Sequence, residues 1–359
     1  MFNRILFAGL LAAVVSPAFA DHPSIGFGGG TAGPILTVPA ATLGAGMMAV
    51  SFSEEFVKPQ RFSDAELIAF AAGHVHAHSV DWISTSAATF SYGLTNDLSL
   101  SLRVPYAYRQ SVRAGSHTHG GGGVVVNAEE DHGNAKGFGD IGFVGKYRFW
   151  NHDGVQAALL LGFEAPTGRD NLQSGGEVLD AEFQPGSGSW DGIFGLAAGR
   201  PMGAFSLDGS VVYKLATKGA SQTDLGDQVQ ASIALSHRLG SAAKAPHQRG
   251  QGHEHGQDHA HEHHHHHDHG DHPHVDAPQP GGWDVVLELN GEWAAKETIG
   301  GVTEENSGGT QIFVSPGLRY APNANWSGHL SVSVPVFSHL GRGHSVTDYK
   351  VTMGIGRAF

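Results

Sequence analysis

The strongest constraint on this chain is a period-two alternation of apolar and polar residues, recurring in segments of about ten. Leu98, Leu100, Leu102, Val104 and Tyr106 alternate with Ser99, Ser101 and Arg103. Val155, Ala157, Leu159, Leu161 and Phe163 face away from Gln156 and Glu164, and Phe205, Leu207, Val211, Tyr213 and Leu215 from Ser206, Asp208, Ser210 and Lys214. Val285, Leu287, Leu289 and Trp293 are set against Glu288, Asn290 and Glu292. Ten residues at about 3.3 Å each extend roughly 33 Å. Tilted by about 45°, that length crosses the ~25 Å apolar band of a membrane barrel. The pattern predicts twelve strands, at 45–56, 82–94, 98–109, 140–150, 155–165, 189–200, 204–215, 226–239, 284–296, 309–320, 326–337 and 347–359.

The connections also have a pattern. Short turns at 95–97, 151–154, 201–203 and 321–325 alternate with long segments at 57–81, 110–139 and 166–188. An even strand number with short turns at one end and long loops at the other is the arrangement of outer-membrane barrels. Trp82, Phe149, Trp150, Trp190, Trp283 and Trp326 fall near strand ends, where interfacial girdles lie. A soluble sandwich or periplasmic barrel would also alternate. The polar face, however, carries Arg103, Lys146, Glu164, Asp208, Lys214, Glu288 and Glu292, charges that a dry sandwich core cannot bury cheaply. The expected fold is therefore an all-β transmembrane antiparallel barrel of about 12 strands over 43–359, with 21–42 as an N-terminal periplasmic segment or plug.

Residues 1–20 combine Arg4, an apolar run from Ile5 to Val15, and the small-x-small pattern Ala18-Phe19-Ala20. This reads as a cleaved signal peptide, because the run is too short to span about 30 Å of hydrocarbon. A formal charge of −13 leaves no basic footprint for nucleic acid, so none is expected as a partner. The absence of Cys excludes disulfide scaffolds, thiolate metal sites and Cys nucleophiles. Charged residues make up only 15% of the chain, as suits a barrel with one face in lipid. The runs at 28–30 and 120–123 lack the helix and Lys of a phosphate loop and read as flexible loops. Ser63, followed three residues later by Glu66, permits a short N-capped helix in the first long loop, although a packed loop is the simpler reading.

Three short motifs then carry a family resemblance. They are Gly33-Pro34-Ile35, Gly137-Phe138-Gly139-Asp140-Ile141 leading to Lys146-Tyr147-Arg148-Phe149, and Ala165-Pro166-Thr167-Gly168 at a strand exit. In this order they resemble the outer-membrane barrel transporter family named for the meta-pathway of phenol degradation (MetA-pathway), over most of 25–359 apart from 240–282. The resemblance implies a channel that passes small, often aromatic or apolar, molecules across the outer membrane. Phe359 is similar to the final residue of many such barrels, which implies recognition by the barrel-assembly machinery. The resemblance supplies no catalytic residues.

Histidine is where the chain departs from that pattern. Thirteen of its 25 His lie in one segment: His247, His253, His255, His259, His261, His263, His264, His265, His266, His267, His269, His272 and His274. Glu254, Asp258, Glu262, Asp268 and Asp271 are interspersed, and no apolar period survives there. The expectation for 240–282 is a disordered insertion, placed by the strand count as an enlarged periplasmic turn between the eighth and ninth strands. Concentrated imidazole binds divalent transition metals (Zn, Cu, Ni or Co), here in several weak interchangeable sites. A solvated spacer is the bland alternative, and the formal H-E-x-x-H match at 261–265 is expected by chance in so His-rich a tract.

Smaller groups fall in the long outer loops. His74, His76 and His78 stand at i, i+2 and i+4, on one face if extended, and His117 and His119 repeat the spacing. These five are further candidate metal ligands, while His339 and His344 lie before the last strand. Ser236 and His237 are adjacent and so point to opposite faces, and no nucleophile–base–orienter set is recognisable. The sequence thus reads as a non-enzymatic outer-membrane channel for small solutes that requires no cofactor, with the His tract handling metal for uptake or buffering. The rivals are a non-transporting, metal-sequestering barrel and a channel for aromatic or apolar molecules with an incidental tract.

Overall fold

The structure, a computed structural model, describes residues 33–119, 125–239, 282–323 and 325–359. Twelve strands form one antiparallel barrel: β1 (Met48–Pro59), β2 (Trp82–Gly93), β3 (Leu98–His119), β4 (Val125–Phe138 continuing as Ile141–His152), β5 (Val155–Ala165) and β6 (Asp191–Met202), followed by β7 (Phe205–Leu215), β8 (Gln228–Leu239), β9 (Gly282–Ala294), β10 (Gly309–Ala321), β11 (Trp326–Leu340) and β12 (Thr347–Ala358). Each strand pairs with its neighbour in the chain, and β1 closes on β12 from Ala49↔Ala358 to Pro59↔Thr347. Among the described residues the barrel sheet is left with no open edge, as a bilayer requires.

The alternation produces an inside-out molecule. Leu161, Leu196, Val211, Ile233, Leu287, Leu289, Val334 and Ile355 are exposed on the outer surface. Arg103, Ser210, Ser232, Glu288, Asn290, Ser315, Ser333 and Lys350 are buried in the lumen. A belt of this size facing water would be severely unfavourable at about 25 cal/mol per Å²; in lipid it costs nothing. Aromatic girdles bound the belt. At one end Trp283 packs on Tyr320 with centroids 4.6 Å apart, and Arg357 lies over Trp326 and Phe359. At the other, Phe56, Trp82, Tyr108 and Tyr349 form a continuous chain of ring contacts, and Trp190 packs on Phe163. This is an outer-membrane barrel.

Inside, charges are paired across the strands. Lys350 reaches Glu292 at 2.6 Å, and Lys214 bridges Glu164 at 2.5 Å and Asp191 at 3.2 Å. A ladder of small polar groups crosses β9, β10 and β11, with the Asn290 amide donating to Ser315 and the Ser315 hydroxyl to Ser333. Residues 34–43 thread this lumen. Glu288 accepts the backbone N–H groups of Ile35, Leu36 and Thr37 at 2.9–3.2 Å, and Ser210 accepts that of Val38 at 3.1 Å. The Lys146 ammonium donates to the Pro39 carbonyl at 3.0 Å, and Ser99 accepts the Leu43 N–H at 2.7 Å. Val38 and Ala40 pack on an apolar patch of the inner wall that includes Val144, Leu160, Ile193 and Val212.

Three expectations need correction. β1 begins at Met48 rather than 45, because 44–47 turns against the end of β2, with the Gly46 N–H donating to Gly93. The segment 110–139 is no loop: β3 and β4 continue as a hairpin from Tyr106↔Phe138 to His119↔Val125. That hairpin rises beyond the aromatic girdle, where no face meets lipid and, among the described residues of 110–139, only Val112, Ala114 and Ala135 are buried apolar positions, so the period-two signal fades there. The first long loop contains a helix, α1 (Asp64–Ala72), where Ser63 and Glu66 form a reciprocal capping box. The β8–β9 ladder ends at Leu239↔Trp283, on the same barrel end as Met48 and Ala358, and the His tract lies outside the described residues.

Candidate functional site

At the long-loop end, the sequence motifs converge on a roof over the lumen. Asp140, at the break in β4, accepts the Gly168 N–H at 2.8 Å, the Ser187 N–H at 2.6 Å and the Ser187 hydroxyl at 2.7 Å. The Thr167 hydroxyl accepts the Ile141 N–H at 2.9 Å. A Cβ at Gly168 would stand 2.7 Å from backbone atoms of Gly139 and Gly186, so only glycine lets these turns meet. Asp140 thereby pins the loop 166–190 across the barrel mouth. Gln184 stiffens that loop, exchanging hydrogen bonds with the Leu172 backbone and donating to the Leu179 carbonyl.

Below this roof lies a cavity of about 110 Å³. Arg103, Arg109, Glu164, Asp191 and Lys214 line it together with Pro105, Ala107 and Leu225. Glu164 and Asp191 are both engaged by Lys214. Arg109 donates to the Gln184 carbonyl at 3.3 Å. Arg103 is buried, and its Nε has no hydrogen-bond partner among the described residues. With Asp140 and Glu182 also on its wall, the cavity sets four carboxylates against the three cations Arg103, Arg109 and Lys214, a strongly polar lining of both signs.

The roof also holds histidines. The expected single face of His74, His76 and His78 does not form. Helix α1 ends at Gly73, and His74 takes a positive φ of 52°, which turns it away from the other two. His74 instead packs near His117, with centroids 4.4 Å apart, and His117 near His119 at 5.0 Å. His76 and His78 face the third loop: His78 Nδ1 lies 3.0 Å from Glu182 Oε1, and His76 Nδ1 3.9 Å from the same oxygen. His78 is also edge-on to Phe183 at 5.0 Å and to His344 at 4.9 Å. Burial would raise the Glu182 carboxyl, but His78, His76 and His344 outweigh it and hold it down to about 2. The Asp180 hydrogen bond raises His76 above the ordinary imidazole value, against burial.

Glu182 and His344 were not among the expected ligands. Glu182 sits in a one-turn 3-10 segment, Ala181–Phe183, whose Phe183 joins a small roof core with Val57, Val80, Ile83 and Val112. Nothing local marks it as a partner of residues about a hundred positions earlier. Ser236 is buried inward while His237 stacks outside on Phe205 at 4.3 Å, so the adjacent pair stays divided between the two faces.

Comparison with known proteins places this arrangement. A family model described as "Putative MetA-pathway of phenol degradation" matches residues 74–274. Among solved structures, the chain is similar to the COG4313 outer membrane channel from Pseudomonas putida F1, with a TM-score of 0.53 and 13% identity, over 89% of this chain and 98% of that one. It also matches a mutant of the TodX monoaromatic hydrocarbon channel, at TM-score 0.42 and 9% identity, over 88% and 91%. The NanC porin aligns at TM-score 0.40 and 6% identity, over 86% and 98%. No curated protein sequence matches the chain.

Proposed function

The chain belongs to the MetA-pathway of phenol degradation family of outer-membrane barrels, and from that premise we propose that it is a channel for small solutes which also captures divalent transition metals. The observation that carries the channel reading is the lumen itself. It is lined by paired charges and small hydroxyls, threaded by residues 34–43, and opens beneath the roof into a cavity with Arg103 and Arg109 on its wall. Such a lining suits polar small molecules better than hydrocarbons, because an apolar solute would displace water from a wall of charged and polar groups without replacing its hydrogen bonds. Residues 34–43 act as a plug that must shift for solute to pass.

Metal handling is the role of the tract 247–274, which joins β8 to β9 at the barrel end that carries both strand termini. With the termini periplasmic, the tract concentrates metal ions at the periplasmic mouth. Coordination needs neutral imidazole, so binding weakens as pH falls through about 6.5.

Single-channel recording of the full chain and of a 247–274 deletion in planar bilayers tests the proposal. Discrete conductance is expected from both. Silence from both would leave a non-transporting, metal-sequestering barrel. Deletion should also remove several equivalents of bound Zn²⁺ at pH 7.5; unchanged binding between pH 5 and 7.5 would end the metal role of the tract.

A further inference from the structure

The roof contains a second, built arrangement of metal-ligating groups, independent of the tract. His76 and His78 come from the first outer loop and Glu182 from the third, and their ligand atoms all lie within 4.8 Å of one another. A tetrahedral ion bound at 2.0–2.2 Å holds its ligand atoms about 3.4 Å apart. Two of the separations, 3.0 Å and 3.9 Å, already bracket that value. The remaining adjustment falls on His76, the most exposed of the three. Asp180 holds His76 Nε2 at 3.3 Å, so the ring presents Nδ1 to Glu182. A carboxylate on the far nitrogen of an imidazole is the usual orienting device for a metal-bound histidine. His78 is held edge-on to both Phe183 and His344, with ring centroids 5.0 and 4.9 Å away.

We propose that His76, His78 and Glu182 form a site for one first-row divalent transition ion, and that the bound ion ties the first outer loop to the third above the lumen cavity. Two neutral imidazoles and one carboxylate carry a single negative charge, which a divalent ion offsets at a site where His78 and Glu182 are buried and His76 is half-buried. Glu182 also lines the cavity, so the ion would sit in its roof. The last outer loop joins the same junction, because the His78 N–H donates to the Gly343 carbonyl. Occupancy would hold three loops together and narrow the route into the barrel. The inference shares only the class of ion with the metal-handling reading above, and a chain lacking 247–274 separates the two.

That deleted barrel, stripped of metal and folded in detergent, is titrated with Zn²⁺ by calorimetry. One ion per barrel is expected. Glu182→Gln and His76→Ala should each weaken it at least tenfold, while His117→Ala leaves it within about twofold. Heat-modifiable migration on gels checks that each variant remains a closed barrel. Should Glu182→Gln fail to fold, the partly exposed His76→Ala carries the test. Absence of stoichiometric binding, or binding unchanged in His76→Ala, overturns the site; His78 and Glu182 are then an ordinary ion pair. Loss only in His117→Ala would move the ion to the His74–His117 cluster and equally overturn it. Saturating Zn²⁺ should cut the conductance of the deleted barrel several-fold and leave that of Glu182→Gln unchanged. Equal conductance with and without Zn²⁺ would overturn the loop-tying role.

Discussion

Glu288 shows how much one lumen residue can determine. Its carboxylate faces three successive backbone N–H groups, from Ile35, Leu36 and Thr37, and thereby anchors the segment that crosses the pore. Hydrogen bonds to a charged acceptor contribute roughly 1.5–3 kcal/mol. Glu288→Gln keeps the shape but removes the charge and turns an NH₂ donor toward donors. The displaced state of the segment should become about ten- to a hundredfold more populated, seen as longer open times in single-channel records and faster proteolysis within 33–43. Records indistinguishable from those of the parent would mean that the segment is held by other contacts. The sequence made Glu288 visible as an inward charge, and Gly33-Pro34-Ile35 visible as a motif. That one receives the other could not be read from it, because some 250 residues separate them and neither has a local signature of the contact.

At the scale of elements, what was legible follows what each element faces. Strands that stand between lipid and lumen must alternate, and all twelve were readable. The upper parts of β3 and β4 have no lipid face, bury only Val112, Ala114 and Ala135 in the roof, carry Arg113 opposite Asp131, and lost the signal. Helix α1 was legible only through its capping box. Its position depends on a glycine instead: a Cβ at Gly115 of β3 would stand 2.4 Å from the Leu67 carbonyl oxygen. Gly115→Ala must push α1 away from the hairpin, at the roughly 1–3 kcal/mol typical of overpacking. Amide exchange across 64–72 should accelerate about five- to a hundredfold while the barrel strands keep their protection. Unaltered exchange in 64–72 would show that the helix does not depend on that close approach.

For the whole molecule, the decisive property is the direction of its polarity. The barrel hides serines, carboxylates and lysines and displays leucine, valine and isoleucine, so its stability is defined only together with the solvent around it. This explains why the period of the sequence revealed the architecture while the composition merely permitted it: lipid and lumen impose opposite demands on successive residues of every strand. The roof, with Asp140 from the break in β4 and Glu182 and His344 from two separate loops, lies beyond that constraint, and only the folded chain reveals it. The belt makes a prediction that a water-facing barrel could not share. Leu287 is exposed midway along β9, whereas Val302 is exposed in an outer hairpin beyond the girdle. Arg placed at the bilayer midplane of such a barrel costs about 2–4 kcal/mol, while a surface position in water changes stability by less than about 0.5 kcal/mol. In denaturant titrations of the barrel in lipid vesicles, Leu287→Arg should therefore lose several-fold more stability than Val302→Arg. Equal losses for the two would mean that Leu287 meets water, and the outward apolar face would then need some other cover.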